Sequence, residues 1–166
     1  MKYQNVLLYL HGLLGSPASD RIAYLQGKGV KIFAPLINYD QTGLLSSLSA
    51  QYFHQNIDCI MGFSAGGLLG FCLAQQYKCD ALLFNPALSY GLIRQDTKEY
   101  LLKANTDYKG RQTIVLGLQD DTVNPHTTEY VLEKYQHAQY CNILKEQDVG
   151  HRIDFSTFVR ICEAYL

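Results

Sequence analysis

The chain has no excess of charge of either sign. Fourteen Lys and Arg stand against fifteen Asp and Glu, a formal net charge of -1, and like charges form no run. That excludes the strong field with which a protein captures nucleic acid or an anionic membrane. A small neutral partner fits this balance better than a polyanion. Long hydrophobic runs are missing too, and nothing approaches the ~18 apolar residues of a membrane span. The opening "MKYQNVLLYLHG" has one lysine and a short apolar run stopped by His11. That run is too short for the apolar core of a secretion signal, so the chain is expected to stay in the cytoplasm. There is no internal repeat, low-complexity tract or linker. Cys59, Cys72, Cys79, Cys141 and Cys162 are odd in number and form no C-x-x-C. They read as reduced core thiols, not a disulfide framework. No cluster of His, Cys and Asp has ligand spacing, so neither a metal nor a cofactor is expected.

What is present is a globular composition, 48% hydrophobic and 17% charged over 166 residues. A chain of this size is expected to form one domain, residues 1–166, burying roughly 70% of its unfolded surface. Short apolar runs alternate with helix-period segments. "NVLLYL" (Asn5–Leu10), "VKIFAP", "IDCIMGF", "DALLFNP", "RQTIVLGL" and "YCNILKE" read as strands. Between them lie helix candidates: "SPASDRIAYLQGKG", opened by a serine cap and closed by glycine, then about Gln41 to His54, then "AGGLLGFCLAQQY". Others run from about Thr97 to Ala104, His126 to His137 and Phe155 to Tyr165. Strands without polar alternation are buried on both faces, which predicts a parallel sheet covered by helices. The expected fold is α/β, a three-layer α/β/α sandwich with about six parallel strands. Sites in such sheets form beyond the carboxyl ends of the strands.

Chemistry is legible at four of those ends. "GFSAGG" places Ser64 between Gly62 and Gly66 where a strand turns into a helix, the G-x-S-x-G arrangement that projects a serine above a sheet. A serine hydroxyl needs a base within hydrogen-bond reach. His151, in "DVGHRID" after the last strand, is the candidate. His54 and His137 fall near helix ends, and His126 beside Pro125 is expected to face solvent. An acid must hold the imidazole tautomer, and "GLQDDTVNP" offers Asp120 and Asp121. Spacing from Gly117 to Val123 favours Asp120; the alternative is that both acids cap the next helix. Asp148 and Asp154 flank the histidine without being better placed to orient it. "LHGLLGSP" opens the loop after the first strand. An oxyanion hole would take its N–H groups from Ala65 and Leu13, with His11 organising the loop.

"LLYLHGLLGSPASD", "GFSAGG", "FNPAL", "GLQDDTVNP" and "GHRIDF" resemble, in order, the landmarks of small bacterial α/β-hydrolase esterases. The nearest group is the YqiA-type single-domain esterases, although this chain has "GFSAGG" where that group leads one to expect "SSLGG". The resemblance implies the minimal α/β-hydrolase fold and a Ser-His-Asp serine esterase. Larger hydrolases of this superfamily carry a cap after the strand that ends here at "FNP". The roughly 25 residues from Pro86 to Arg111 leave no room for a lid domain. An open, shallow site for short acyl groups is expected; Tyr39 and Tyr90 fall on loops near the sheet's carboxyl edge, where with 13 tyrosines in the chain packing or surface exposure is expected over lining the site. The competing readings are an acyl thioesterase with the same residues and a non-catalytic binding protein on a hydrolase fold.

Overall fold

The computed structural model describes residues 6–166; Asn5, read above as the start of the first strand, lies outside them. Six strands form one sheet: β1 (Val6–Leu10), β2 (Lys31–Phe33), β3 (Cys59–Phe63), β4 (Asp80–Phe84), β5 (Gln112–Gly117) and β6 (Cys141–Glu146). Their order is β2-β1-β3-β4-β5-β6 and every pairing is parallel. Among the described residues the α-helices are α1 (Ser19–Gly27), α2 (Leu44–Tyr52), α3 (Ala65–Tyr77), α4 (Leu88–Gly91), α5 (Lys98–Leu102), α6 (Pro125–Lys134) and α7 (Phe155–Tyr165).

Strand side chains alternate between two apolar layers, because successive residues point to opposite faces. Leu8, Leu10, Ile60, Leu83, Ile114 and Leu116 pack with α2, α3 and α6. Leu7, Tyr9, Met61, Leu82, Phe84 and Val115 pack with Leu25 of α1 and with Phe158 and Ile161 of α7. This is the three-layer α/β/α sandwich of six parallel strands. Covering both faces is why the central strands carry no polar alternation. Among the described residues β6 pairs with β5 alone, and it is partly exposed along its length. α3 is buried nearly all round, from Gly66 to Gln75, and so reads as apolar on every side. Among the described residues no helix is long and apolar enough to cross a membrane.

Helix boundaries depart from the sequence expectation where local chemistry competes. The expected serine cap of α1 is not used: Ala18 holds that position without a side-chain bond. Instead Asp20 accepts from the Arg21 N–H at 2.8 Å, so an acid inside the first turn meets the free donors. The glycine ending is present, since Gly29 takes φ +84° and its N–H donates to Gln26 O. The segment from Gln41 to His54 becomes α2 plus a 3-10 turn, Phe53–Gln55. The four-residue α4 was not anticipated.

Candidate active site

Chain order reverses between β1 and β3: the chain leaves β1 for β2 on one side and returns to β3 on the other. In open α/β sheets the loops diverge at such a reversal. Ser64 stands at that edge, between the last residue of β3 and the first of α3. It adopts φ 54° and ψ -117°, a conformation that side-chain-bearing residues rarely hold. Three hydrogen bonds impose it. Its N–H donates to Phe84 O at 2.9 Å, and its carbonyl accepts from Leu68 and Ala87, both at 3.1 Å. The turn closes only because its neighbours lack side chains. A Cβ on Gly62 would fall 2.4 Å from Gly66 O, and one on Gly66 would fall 2.3 Å from Leu10 O.

Asp120 and His151 arrive from the ends of β5 and β6. The Asp120 side chain has no solvent exposure. Its Oδ1 accepts from the N–H groups of Thr122 and Val123, both at 2.8 Å. The other oxygen, Oδ2, lies 2.8 Å from His151 Nδ1. A carboxylate only accepts, so Nδ1 carries the proton and the neutral ring keeps its lone pair on Nε2. Asp121 is exposed and accepts from Thr122 Oγ1 at 3.2 Å. Neither acid caps α6, because Asn124 does so by accepting from the His126 N–H. Asp154 caps α7, and three hydrogen bonds from Ser156 and Thr157 hold its carboxyl well below the usual range.

The loop after β1 lies against the serine: a Cβ on Gly12 would sit 3.3 Å from Ser64 Cβ. His11 is buried and organises this loop. Its Nε2 accepts from the Ile37 N–H at 2.8 Å, and its Nδ1 donates to Gly12 O at 2.7 Å. Both ring nitrogens are thereby occupied. The Tyr39 hydroxyl donates to His11 O, and burial raises the pKa of that hydroxyl. Leu13 and Leu14 are exposed, Leu14 almost fully at 99%, as are Leu36 and Ile93; Tyr90, expected on a loop, is instead an exposed residue of the short helix α4. Ala65 is the first residue of α3, and N–H groups of a first helical turn have no acceptor within the helix.

The remaining candidates lie elsewhere. His126 is 84% exposed beside Glu129. His137 is buried against Leu101 O, and that burial lowers its pKa. All five cysteines are free thiols. Burial raises every one of them, Cys79, Cys141 and Cys162 to about 12, which leaves them protonated and poor nucleophiles. Two polar residues at the site escaped the sequence reading. Asn85 is buried at the end of β4 with φ 45°, signalled only by an asparagine where a strand meets proline. Arg21 of α1 donates to Ile153 O and lies over the Phe63 ring at 4.7 Å; nothing in its local sequence marks it.

The fold is shared with solved α/β-hydrolases. One is MGS-MChE2, an α/β-hydrolase enzyme from the metagenome of lagoon sediments at Mar Chica, Morocco. It has a TM-score of 0.72 and 14% identity, with 98% of this chain and 90% of that one covered. A monoacylglycerol lipase of Paleococcus ferrophilus follows at 0.70 and 14%, covering 96% and 93%. Est1E from Butyrivibrio proteoclasticus stands at 0.67 and 18%, covering 96% and 84%. At these identities the likeness is one of fold. No curated protein matches the chain. A family model does match, over residues 6–152, from the first residue of β1 to just past His151. The chain therefore belongs to the uncharacterised protein family UPF0227.

Proposed function

We propose that this protein is a serine esterase that hydrolyses short acyl esters through an acyl-enzyme, within one domain spanning residues 1–166. The reading rests above all on the Asp120–His151 pair at 2.8 Å, on the sheet edge where Ser64 is held in its strained turn. His151 Nε2 takes the proton of Ser64 Oγ as that oxygen attacks the ester carbonyl. The tetrahedral oxyanion accepts from the N–H groups of Ala65 and Leu13. His151 then gives its proton to the departing alkoxide, leaving the acyl group on Ser64. Water, deprotonated by the same nitrogen, releases the acid. Asp120 stays ionised throughout and balances the imidazolium. The exposed loop side chains and the absence of a lid-sized insertion between Pro86 and Arg111 support small substrates. The fold likeness to an α/β-hydrolase enzyme and a monoacylglycerol lipase supports the reaction class.

Ser64→Ala tests the reading. Turnover of p-nitrophenyl butyrate should fall to near background in a protein of unchanged melting temperature. A fluorophosphonate should label the wild type at Ser64, located by mass spectrometry, and leave the variant unlabelled. Wild-type turnover by the variant would exclude this mechanism.

A further inference from the structure

The residues Phe84–Ala87 bond to the Ser64 turn, to the end of β5 and to the His151 loop. Phe84 O accepts from the Ser64 N–H, and the Ala87 N–H donates to Ser64 O. Between them, Asn85 reaches the end of β5 and the His151 loop. Its Oδ1 accepts from the Gly117 N–H at 2.7 Å, at the end of the strand that leads to Asp120. Its Nδ2 donates to Gly150 O at 2.9 Å and to His151 O at 3.2 Å. These bonds fix the amide orientation without ambiguity, because the N–H must face an oxygen and the two carbonyls must face the NH₂ group. The left-handed backbone of Asn85 is pinned by its own N–H to Val115 O at 2.8 Å.

The histidine needs such a tie. It leaves the sheet from β6, three strands from β3, roughly 14 Å at ordinary strand spacing. Its loop must cross back over β5, where contact is already close: a Cβ on Gly117 would fall 2.4 Å from Val149 O. Asn85 spans that crossing point. We infer that Asn85 is a positioning residue that holds the His151 loop in register with Ser64 and Asp120 through its side-chain amide. The inference rests on the triad proposed above. Only an amide meets the requirement, accepting from one backbone group while donating to two others. A carboxylate of the same shape turns an acceptor toward two carbonyl oxygens, and an apolar side chain takes this partner from one buried N–H and two part-buried carbonyls. Misplacing a catalytic group by about an ångström costs on the order of a hundredfold in rate.

The test compares Asn85→Gly, which tolerates the left-handed backbone, and Asn85→Asp with Thr97→Val. Thr97 is a buried hydroxyl bonded to Gly91 O at 3.0 Å, outside the site. Kinetics on p-nitrophenyl butyrate are normalised to folded protein, and proton NMR follows the His151 Nδ1–H resonance. Both Asn85 variants should lose about 10- to 100-fold in kcat. KM should stay within about threefold, and the Nδ1–H resonance should shift or broaden. Thr97→Val should lower the melting temperature and leave kcat and that resonance unchanged. In the wild type, the Asn85 Nδ2 protons should be protected from solvent exchange, a measurement that needs no variant to fold. Wild-type kcat in Asn85→Gly, a rise in KM alone, or rapidly exchanging Nδ2 protons would each overturn the inference. Full activity in Ser64→Ala overturns the triad instead, and the NMR and exchange results still judge the tie by themselves.

Discussion

Two adjacent aspartates differ in what their side chains reach. Asp120 meets two backbone N–H groups with one oxygen and the imidazole with the other, so both of its oxygens have a purpose in the proposed triad. Asp121 touches one threonine hydroxyl at the surface. Replacing the orienting acid by an amide frees the imidazole to take the wrong tautomer, with losses that can reach ~10⁴-fold in kcat. Asp120→Asn is therefore expected to lose at least about a hundredfold in kcat. Asp121→Asn should stay within about threefold of wild type, as a surface contact alone is changed. Steady-state kinetics of the two variants decide the matter, and the opposite ranking would move the acid to Asp121.

Elements are joined at this site by contact between backbones. Gly66, in the first turn of α3, lies so close to the end of β1 that a methyl group there would strike Leu10 O and His11 O, at 2.3 and 2.4 Å. Neither carbonyl can swing aside as a side chain would. Gly66→Ala should cost about 1–3 kcal/mol, the usual range for forcing extra volume into packed structure. It should also cost activity, because α3 and the His11 loop both move; denaturant titration and ester turnover measure the two effects. α6 offers the contrast. Its Asn124 cap serves that helix alone, so Asn124→Ala should lose about 1 kcal/mol of stability and leave kcat unchanged. A large fall in kcat there would show that the Asp120 loop depends on the helix cap.

The buried thiols act on the molecule as a whole. Burial raises Cys79, Cys141 and Cys162 from the ordinary value of 9.0 to about 12, and Cys59 and Cys72 rise as well. Below about pH 9 both the folded and unfolded chains keep these protons, and stability is independent of them. Above it, the unfolded chain releases protons that the folded chain retains, which favours unfolding. Stability should therefore fall as pH rises from 9 toward 12, by up to about 1.4 kcal/mol per pH unit for each such thiol. Denaturant midpoints at about pH 8 and pH 10.5 measure this, and equal midpoints would show that the thiols ionise freely in the folded state.

Fold class followed from sequence because burial on both faces demands uninterrupted apolar strands, and those of β1, β3, β4 and β5 can be read directly. The surroundings of Ser64 were legible for a similar reason: a turn that tight admits only glycine at Gly62 and Gly66, and the requirement is local. α7 was placed at both ends, Phe155 and Tyr165, since Asp154 caps it from within the same segment. The cap of α1 was misplaced because Asp20 competed with the serines for the same donors. What only tertiary structure decided is which groups meet across the sheet edge. Asp120 and His151 are separated by 31 residues and joined at 2.8 Å, and Asn85 binds carbonyls 65 and 66 residues away. Arg21 of α1 likewise reaches Ile153 O, 132 residues on. Bonds to backbone carbonyls place no demand on the identity of the residue that supplies the oxygen, so they leave no pattern in the sequence to be read.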